Sequence, residues 1–232
     1  MTAQLLLALD TPDVATAVAL ARNIGGAVDG IKLGLEFFVA NGPMGVATVQ
    51  AEGRPLFLDL KLHDIPNTVA GALRSTLALK PMMVNVHASG GPEMLRLASQ
   101  TVRDAGSGRP LLIAVTVLTS LSDDDLVAVG QLPPPADQVR RLAALAQAQG
   151  CDGVVCSARE IVQLRRDCGP DFKLVVPGLR PVSAALDDQK RVMTPGEAAR
   201  LGADFLVIGR PITAAPDPVE AARRIKSEIA AG

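Results

Sequence analysis

Short apolar runs recur along the chain at fairly even spacing, separated by polar segments marked with glycine or proline. Eight of these runs predict strands: Leu5–Leu9, Gly30–Leu33, Leu56–Lys61, Met82–His87, Leu111–Leu118, Gly153–Cys156, Lys173–Val176 and Phe205–Ile208. Most are apolar throughout rather than alternating, as expected of strands covered on both faces of a parallel sheet. Helical patterns lie between them. Asp13–Ile24 opens with Thr11-Pro12-Asp13, Thr68–Leu79 follows Pro66, and Pro92–Ala105 follows Gly90-Gly91. Gln138–Gln149 ends at Gly150, Ala158–Asp167 follows Ser157, Pro195–Leu201 follows Thr194, and Pro218–Ala230 comes last. No helix is delineated between the second and third strands. The strand–helix rhythm predicts a single (β/α)8 TIM-barrel domain over residues 1–232. A doubly wound open sheet is the structural rival, and eight repeats in this length favour closure. The successive prolines within Gln131–Pro135 read as a loop, because strands continue on both sides without a shift in composition. Gly178–Met193 is longer, polar and charged, as expected of a lid or binding loop.

Composition narrows the function. Hydrophobic residues make up 48% of the chain but aromatic residues only 2%, with no Trp or Tyr. The core is therefore aliphatic, and stacking platforms for single-stranded nucleic acid are missing. Lys and Arg total 23 against 24 Asp and Glu, a formal net charge of −1, which excludes a broad basic footprint for DNA or RNA. An anionic small molecule needs only local positive charge. Three cysteines, Cys151, Cys156 and Cys168, form no disulfide framework and read as small buried residues in a reducing compartment. The amino terminus lacks a basic region before its apolar run, and no apolar stretch reaches membrane-spanning length. The expectation is a soluble, cytoplasmic protein.

Barrel active sites form where strands end and the following loops begin, so polar residues at those ends are the candidates. The first strand leads into Asp10, the second carries Lys32, and the third carries Asp59 and Lys61. Side chains alternate along a strand, so Asp59 and Lys61 share the face turned to the barrel mouth, while Leu58, Leu60 and Leu62 turn to the helices and His63 faces away. Buried charges must pair, and Lys32, Asp59, Lys61 and a further aspartate can alternate in sign. An ammonium between carboxylates stays charged, and can stabilise a developing carbanion and then protonate it. A strand-end Asp–Lys pair also serves as a plain structural ion pair. Asp64 before Pro66 can equally cap a helix, and Asp10 can cap the next turn. Further on, Pro177-Gly178-Leu179-Arg180 and Gly209-Arg210 end the seventh and eighth strands, where barrels commonly bind phosphate. Gly209 permits close backbone approach, and Arg180 and Arg210 offer forked donors, although turn glycines and surface arginines are also common. Thr119 and Ser120 can bond a polar ring or begin a helix before Asp123. His87 can line the mouth or serve structurally, and two separated histidines do not make a zinc site.

These motifs resemble the orotidine 5'-monophosphate decarboxylase family. The resemblance is carried by Asp59-Leu60-Lys61-Leu62-His63-Asp64-Ile65-Pro66-Asn67-Thr68, Leu7-Ala8-Leu9-Asp10, Lys32-Leu33-Gly34, Pro177-Gly178-Leu179-Arg180-Pro181, Asp188-Gln189-Lys190-Arg191-Val192 and Gly209-Arg210-Pro211-Ile212. It implies a lyase that needs neither cofactor nor metal and converts orotidine 5'-monophosphate to UMP and CO2, the last step of de novo UMP synthesis. It implies Lys61 as proton donor to C6, and Asp59 beside the substrate carboxylate and holding Lys61. Lys32 and Asp10 would be at the ribose, and Thr119 and Ser120 at the base. Pro177, Arg180, Gln189, Gly209 and Arg210 would bind the substrate on its phosphate side, with 178–193 closing over it. It also implies a homodimer in which Asp64, Ile65 and Thr68 reach the neighbouring subunit's site, with Asp64 part of the catalytic set. The alternatives are a metal-dependent sugar-phosphate decarboxylase or synthase on the same barrel, and a non-catalytic nucleotide-phosphate sensor.

Overall fold

The computed structural model describes residues 2–181 and 193–231. Each strand pairs in parallel with its neighbour in sequence, and the first pairs with the last, so the sheet is a closed barrel. The strands are β1 (Gln4–Ala8), β2 (Gly30–Gly34), β3 (Leu56–Leu62), β4 (Met83–His87), β5 (Leu111–Val115), β6 (Gly153–Val155), β7 (Lys173–Pro177) and β8 (Phe205–Ile208). The open sheet is thereby excluded. β5 ends at Val115, three residues before the predicted Leu118, so Thr119 and Ser120 lie in an exposed turn rather than at a strand end. The Thr116 hydroxyl donates to the Val155 carbonyl at 2.8 Å as the chain leaves the sheet.

Helices wrap the barrel: α1 (Val14–Ile24), α2 (Leu35–Gln50), α3 (Pro66–Leu77), α4 (Gly91–Arg103), α5 (Asp123–Ala128), α6 (Pro135–Ala148), α7 (Ile161–Cys168), α8 (Pro195–Arg200), α9 (Arg210–Thr213) and α10 (Pro218–Ala231). α2 has no counterpart in the sequence reading. Its apolar period is broken at Gly42, which takes a positive φ of 59° ahead of Pro43, so two shorter helices join across a kink. α3 begins at Pro66, two residues before the predicted start, because proline's fixed φ suits the first helical position.

Apolar side chains form two layers. The larger lies between strands and helices and includes Leu58, Leu60, Val84, Val86, Leu174 and Val176. The smaller fills the barrel itself with Leu6, Ala8, Phe57, Met83, Ile113, Val175, Phe205 and Val207. With so few aromatic residues, Phe57 and Phe205 supply the bulk that fills the lumen. Alternation along β3 then carries Asp59 and Lys61 from the Phe57 layer toward the mouth. Cys151 and Cys156 are buried in the outer layer. Burial pushes the Cys151 thiol up to about 11 and the Cys156 thiol further still, so both behave as small apolar groups.

Candidate active site

Register fixes who meets whom at the barrel mouth. Lys32 lies opposite Ala8 on β1 and Phe57 on β3, and Asp59 lies opposite Gly34. The Lys32 ammonium reaches Asp10 at 3.0 Å and Asp59 at 3.4 Å, and the Lys61 ammonium reaches Asp59 at 2.7 Å. Asp10, Lys32, Asp59 and Lys61 thus form one row of alternating charge. Lys32 and Asp59 are each only 8% exposed, so neither charge could stay there alone. Gly34 leaves the space: a Cβ on it would stand 3.0 Å from the Lys32 ammonium. Burial alone would raise the Asp59 pKa. The two ammonium groups and a hydrogen bond from Asn85 outweigh it and hold Asp59 below the ordinary carboxylate range.

Within this chain the contacts fill in the order that the sequence left open. The fourth charge within this chain is Asp10, so the lysine between two aspartates is Lys32, and Lys61 closes the row with one acidic partner. Asp10 caps no helix; Asp13 caps α1 instead, accepting from the Thr16 N–H at 2.7 Å. Asp64 caps no helix either. It is exposed, and its carboxylate accepts from the Ile65 N–H at 2.6 Å. Ile65 and Thr68 are exposed beside it, with Ile65 showing 68% of its surface.

Sequence reasoning missed Asn85. Its amide donates to Asp59 Oδ1 at 2.6 Å, and its carbonyl oxygen accepts from the Lys61 backbone N–H at 2.7 Å. The signal was available: Asn85 has the parity of Met83 and His87 on β4, so a polar side chain had to enter the lumen. His63 also departs from expectation. Lys61 has a positive φ of 51° and β3 stops at Leu62, so strict alternation ends there. The exposed His63 ring then lies with its centroid 5.5 Å from that of His87, which shares the parity of Asn85 on β4.

The row forms one wall of a cavity of about 310 Å³, within the roughly 300–1,000 Å³ usual for small-molecule sites. Phe57, Val155, Val175 and Val207 line its apolar part. Pro177, Gly178, Arg180, Gly209 and Arg210 line the side formed by the ends of β7 and β8. A Cβ on Gly209 would stand 3.4 Å from that of Ala8 and 3.5 Å from an Asp10 carboxylate oxygen, so glycine keeps this edge open. Thr119 lines an adjoining depression that shares Pro177, Gly178 and Leu179 with the cavity, whereas Ser120 lines neither. Gln189 and positions 182–192 of the expected closing loop lie outside the described residues. Among the described residues, no group of three or more His, Cys, Asp or Glu side chains is placed to hold a metal ion.

A row of alternating charge, buried at its Lys32–Asp59 centre, on one wall and two arginines on another suits a small ligand that carries negative charge at two separated points. Known proteins agree with that description. The profile of the Orotidine 5'-phosphate decarboxylase / HUMPS family matches residues 3–225. A curated orotidine 5'-phosphate decarboxylase from Paramagnetospirillum magneticum is 53% identical, over 96% of this chain and 97% of the relative. One from Rhodospirillum rubrum is 55% identical, over 96% of this chain and 92% of the relative. The crystal structure of the Lactobacillus acidophilus orotidine 5'-phosphate decarboxylase superposes with a TM-score of 0.86 at 36% identity, covering 98% of this chain and 99% of that one. Matched along nearly its whole length, the chain belongs to the orotidine 5'-phosphate decarboxylase family.

Proposed function

We propose that the chain decarboxylates orotidine 5'-phosphate to uridine 5'-phosphate and CO2, the closing step of UMP synthesis, with Lys61 as the proton donor. The observation that carries the reading is the Asp10–Lys32–Asp59–Lys61 row, buried at its Lys32–Asp59 centre, on the wall of a cavity whose far edge holds Arg180 and Arg210. In the reaction the C6–carboxylate bond breaks, CO2 leaves, and the electron pair remains on C6. That carbanion has no delocalising sink, so its charge must be met by fixed charges in a water-poor site. The Lys61 ammonium faces it, stabilises it, and then transfers a proton to C6. Asp59 holds the ammonium by its 2.7 Å contact and lies beside the departing carboxylate. Lys32 and Asp10 complete the row and contact the ribose.

Arg180, Gly209 and Arg210, with Pro177 and Gln189, take the phosphate side, where a guanidinium fork matches phosphate oxygens. Binding there helps drive closure of 178–193 over the substrate. Thr119 and Ser120 serve the base region once the loop is closed. The active form is a homodimer. Asp64 of the partner subunit supplies Lys61 with its second carboxylate, and Ile65 and Thr68 cross with it. Three exposed residues at the barrel's catalytic end, one of them a large aliphatic, support that reading.

The test is direct. Chelator-treated protein mixed with orotidine 5'-phosphate should remove the orotate absorbance. Turnover that appears only after a divalent cation is added would favour a metal-dependent sister activity, and binding without turnover would favour a sensor. Lys61→Ala should stay folded and lose at least about a thousandfold in kcat, given that positioned proton donors alone contribute roughly 10²–10⁴. Near-normal turnover by that variant would reject Lys61 as the donor.

A further inference from the structure

We infer that Asn85 is a positioning residue that sets both the backbone conformation and the ammonium direction of Lys61. This deepens the proposed decarboxylase reading, on which its kinetic arm rests. The β3–β4 register runs Phe57 to Met83 and Leu58 to Val84, then resumes with Leu62 opposite Val86. β3 therefore spends two more residues than β4 across this stretch, and the ordinary ladder cannot serve the Lys61 N–H. The Asn85 side chain replaces it, accepting that N–H at 2.7 Å. Lys61 sits there with φ at 51°, a left-handed conformation that an L residue with a long side chain adopts only under external constraint.

The same amide group donates to Asp59 Oδ1 at 2.6 Å, the atom that also receives the Lys61 ammonium at 2.7 Å. One carboxamide thus ties the main chain and the side-chain partner of Lys61 to a single rigid plane. Only a side chain with a donor and an acceptor on opposite arms can do this. A carboxylate would lack the donor and repel Asp59, and an aliphatic residue would leave a buried N–H without its partner. Asn85 itself is 1% exposed and does not line the cavity, so it acts through Lys61 and Asp59 rather than on the substrate.

The experiment compares parent, Asn85→Ala and Asn85→Asp in orotidine 5'-phosphate turnover across pH, with folding checked by circular dichroism. Asn85→Ala should lose on the order of a hundredfold in kcat, the scale expected from a displacement of about 1 Å at a reacting group, while KM changes little because the arginine side is untouched. In Asn85→Asp the new carboxyl can donate to Asp59 only when protonated. Turnover relative to the parent should therefore climb as pH falls. A purely structural asparagine would lower thermal stability without that pH signature. In the unaltered protein, the Lys61 amide proton should be strongly protected from hydrogen exchange, a readout that needs neither a variant nor activity. An unprotected Lys61 amide overturns the inference, as does parent-like kcat in Asn85→Ala or a flat pH ratio in Asn85→Asp. A parent that fails to turn over orotidine 5'-phosphate sinks the functional reading instead, and the amide measurement still decides the role of Asn85.

Discussion

Lys32 and Asp59 show how a charged side chain becomes tolerable inside a barrel: each has an opposite partner within hydrogen-bonding or ion-pair distance. That much was legible in the sequence, because strand parity places Asp59 and Lys61 on one face and buried charges require partners. The pairing order was not legible, since whether Asp10 or Asp64 joins the row depends on loop paths that parity does not determine. His87 lends itself to a pH measurement. Burial, then repulsion from His63 and Lys61, holds its imidazole below the usual 6.5 against the pull of Asp59. Between that folded value and about 6.5 the unfolded chain binds more protons, so stability falls as pH drops through this window and is unaffected above it. His87→Gln should remove that part of the slope in urea denaturation from roughly pH 5 to 8, and an unchanged slope would mean another group carries it. Arg210→Ala should weaken UMP far more than uridine, tested by calorimetric titration. Equal weakening of the two would argue against a phosphate contact.

Elements were read better than their ends. β8 matches its predicted span, because Phe205–Ile208 is an unbroken apolar run that alternation cannot misplace. β5 stops short of its apolar run, since Val117 and Leu118 continue that run after the ladder has ended at Val115. α2 was hidden by its own kink. α5 shows the converse: Ser122 and Asp125 form a reciprocal cap that starts a helix just after Thr119 and Ser120. The shortest strand, β6, owes its fit to a missing side chain. A Cβ on Gly153 would stand 2.1 Å from the Lys173 carbonyl oxygen, backbone that cannot move without opening the β6–β7 ladder. Gly153→Ala should therefore destabilise by about 1–3 kcal/mol or more, the usual scale of overpacking, and lower the yield of folded protein. Parent-like stability in chemical denaturation would show that the ladder yields more easily than its geometry suggests.

At the scale of the molecule, the two ends of the barrel divide the work. The catalytic end carries the charged row and the two arginines, and the opposite end carries a repeated staple. Asp29, Asp152 and Asp204 each stand one residue before an even-numbered strand. They accept from the backbone N–H of Leu5, Leu112 and Leu174 at the starts of β1, β5 and β7, at 2.9, 2.8 and 2.8 Å. Each is matched by cations: Lys226 for Asp29, Arg109 for Asp152, and Arg165 with Lys173 for Asp204. The staples satisfy N–H groups that the closing sheet would otherwise strand at its rim. Asp29 stands three residues before Lys32, and Asp152 three before Val155 of the cavity wall, so a span of roughly 10 Å of strand, at about 3.3 Å per residue, separates staple from site. Stability and catalysis should therefore separate. Asp204→Ala should cost about 2–3 kcal/mol, the scale of hydrogen bonds to a charged group. In a protein of this length that corresponds to a fall in Tm of roughly 5–10 °C. Turnover measured well below the transition should match the parent, because the Asp10–Lys32–Asp59–Lys61 row at the ends of β1 to β3 shares no bond with Asp204. A loss of kcat in proportion to the loss of stability would mean that the mouth depends on the far rim, and that the barrel responds as one mechanical unit.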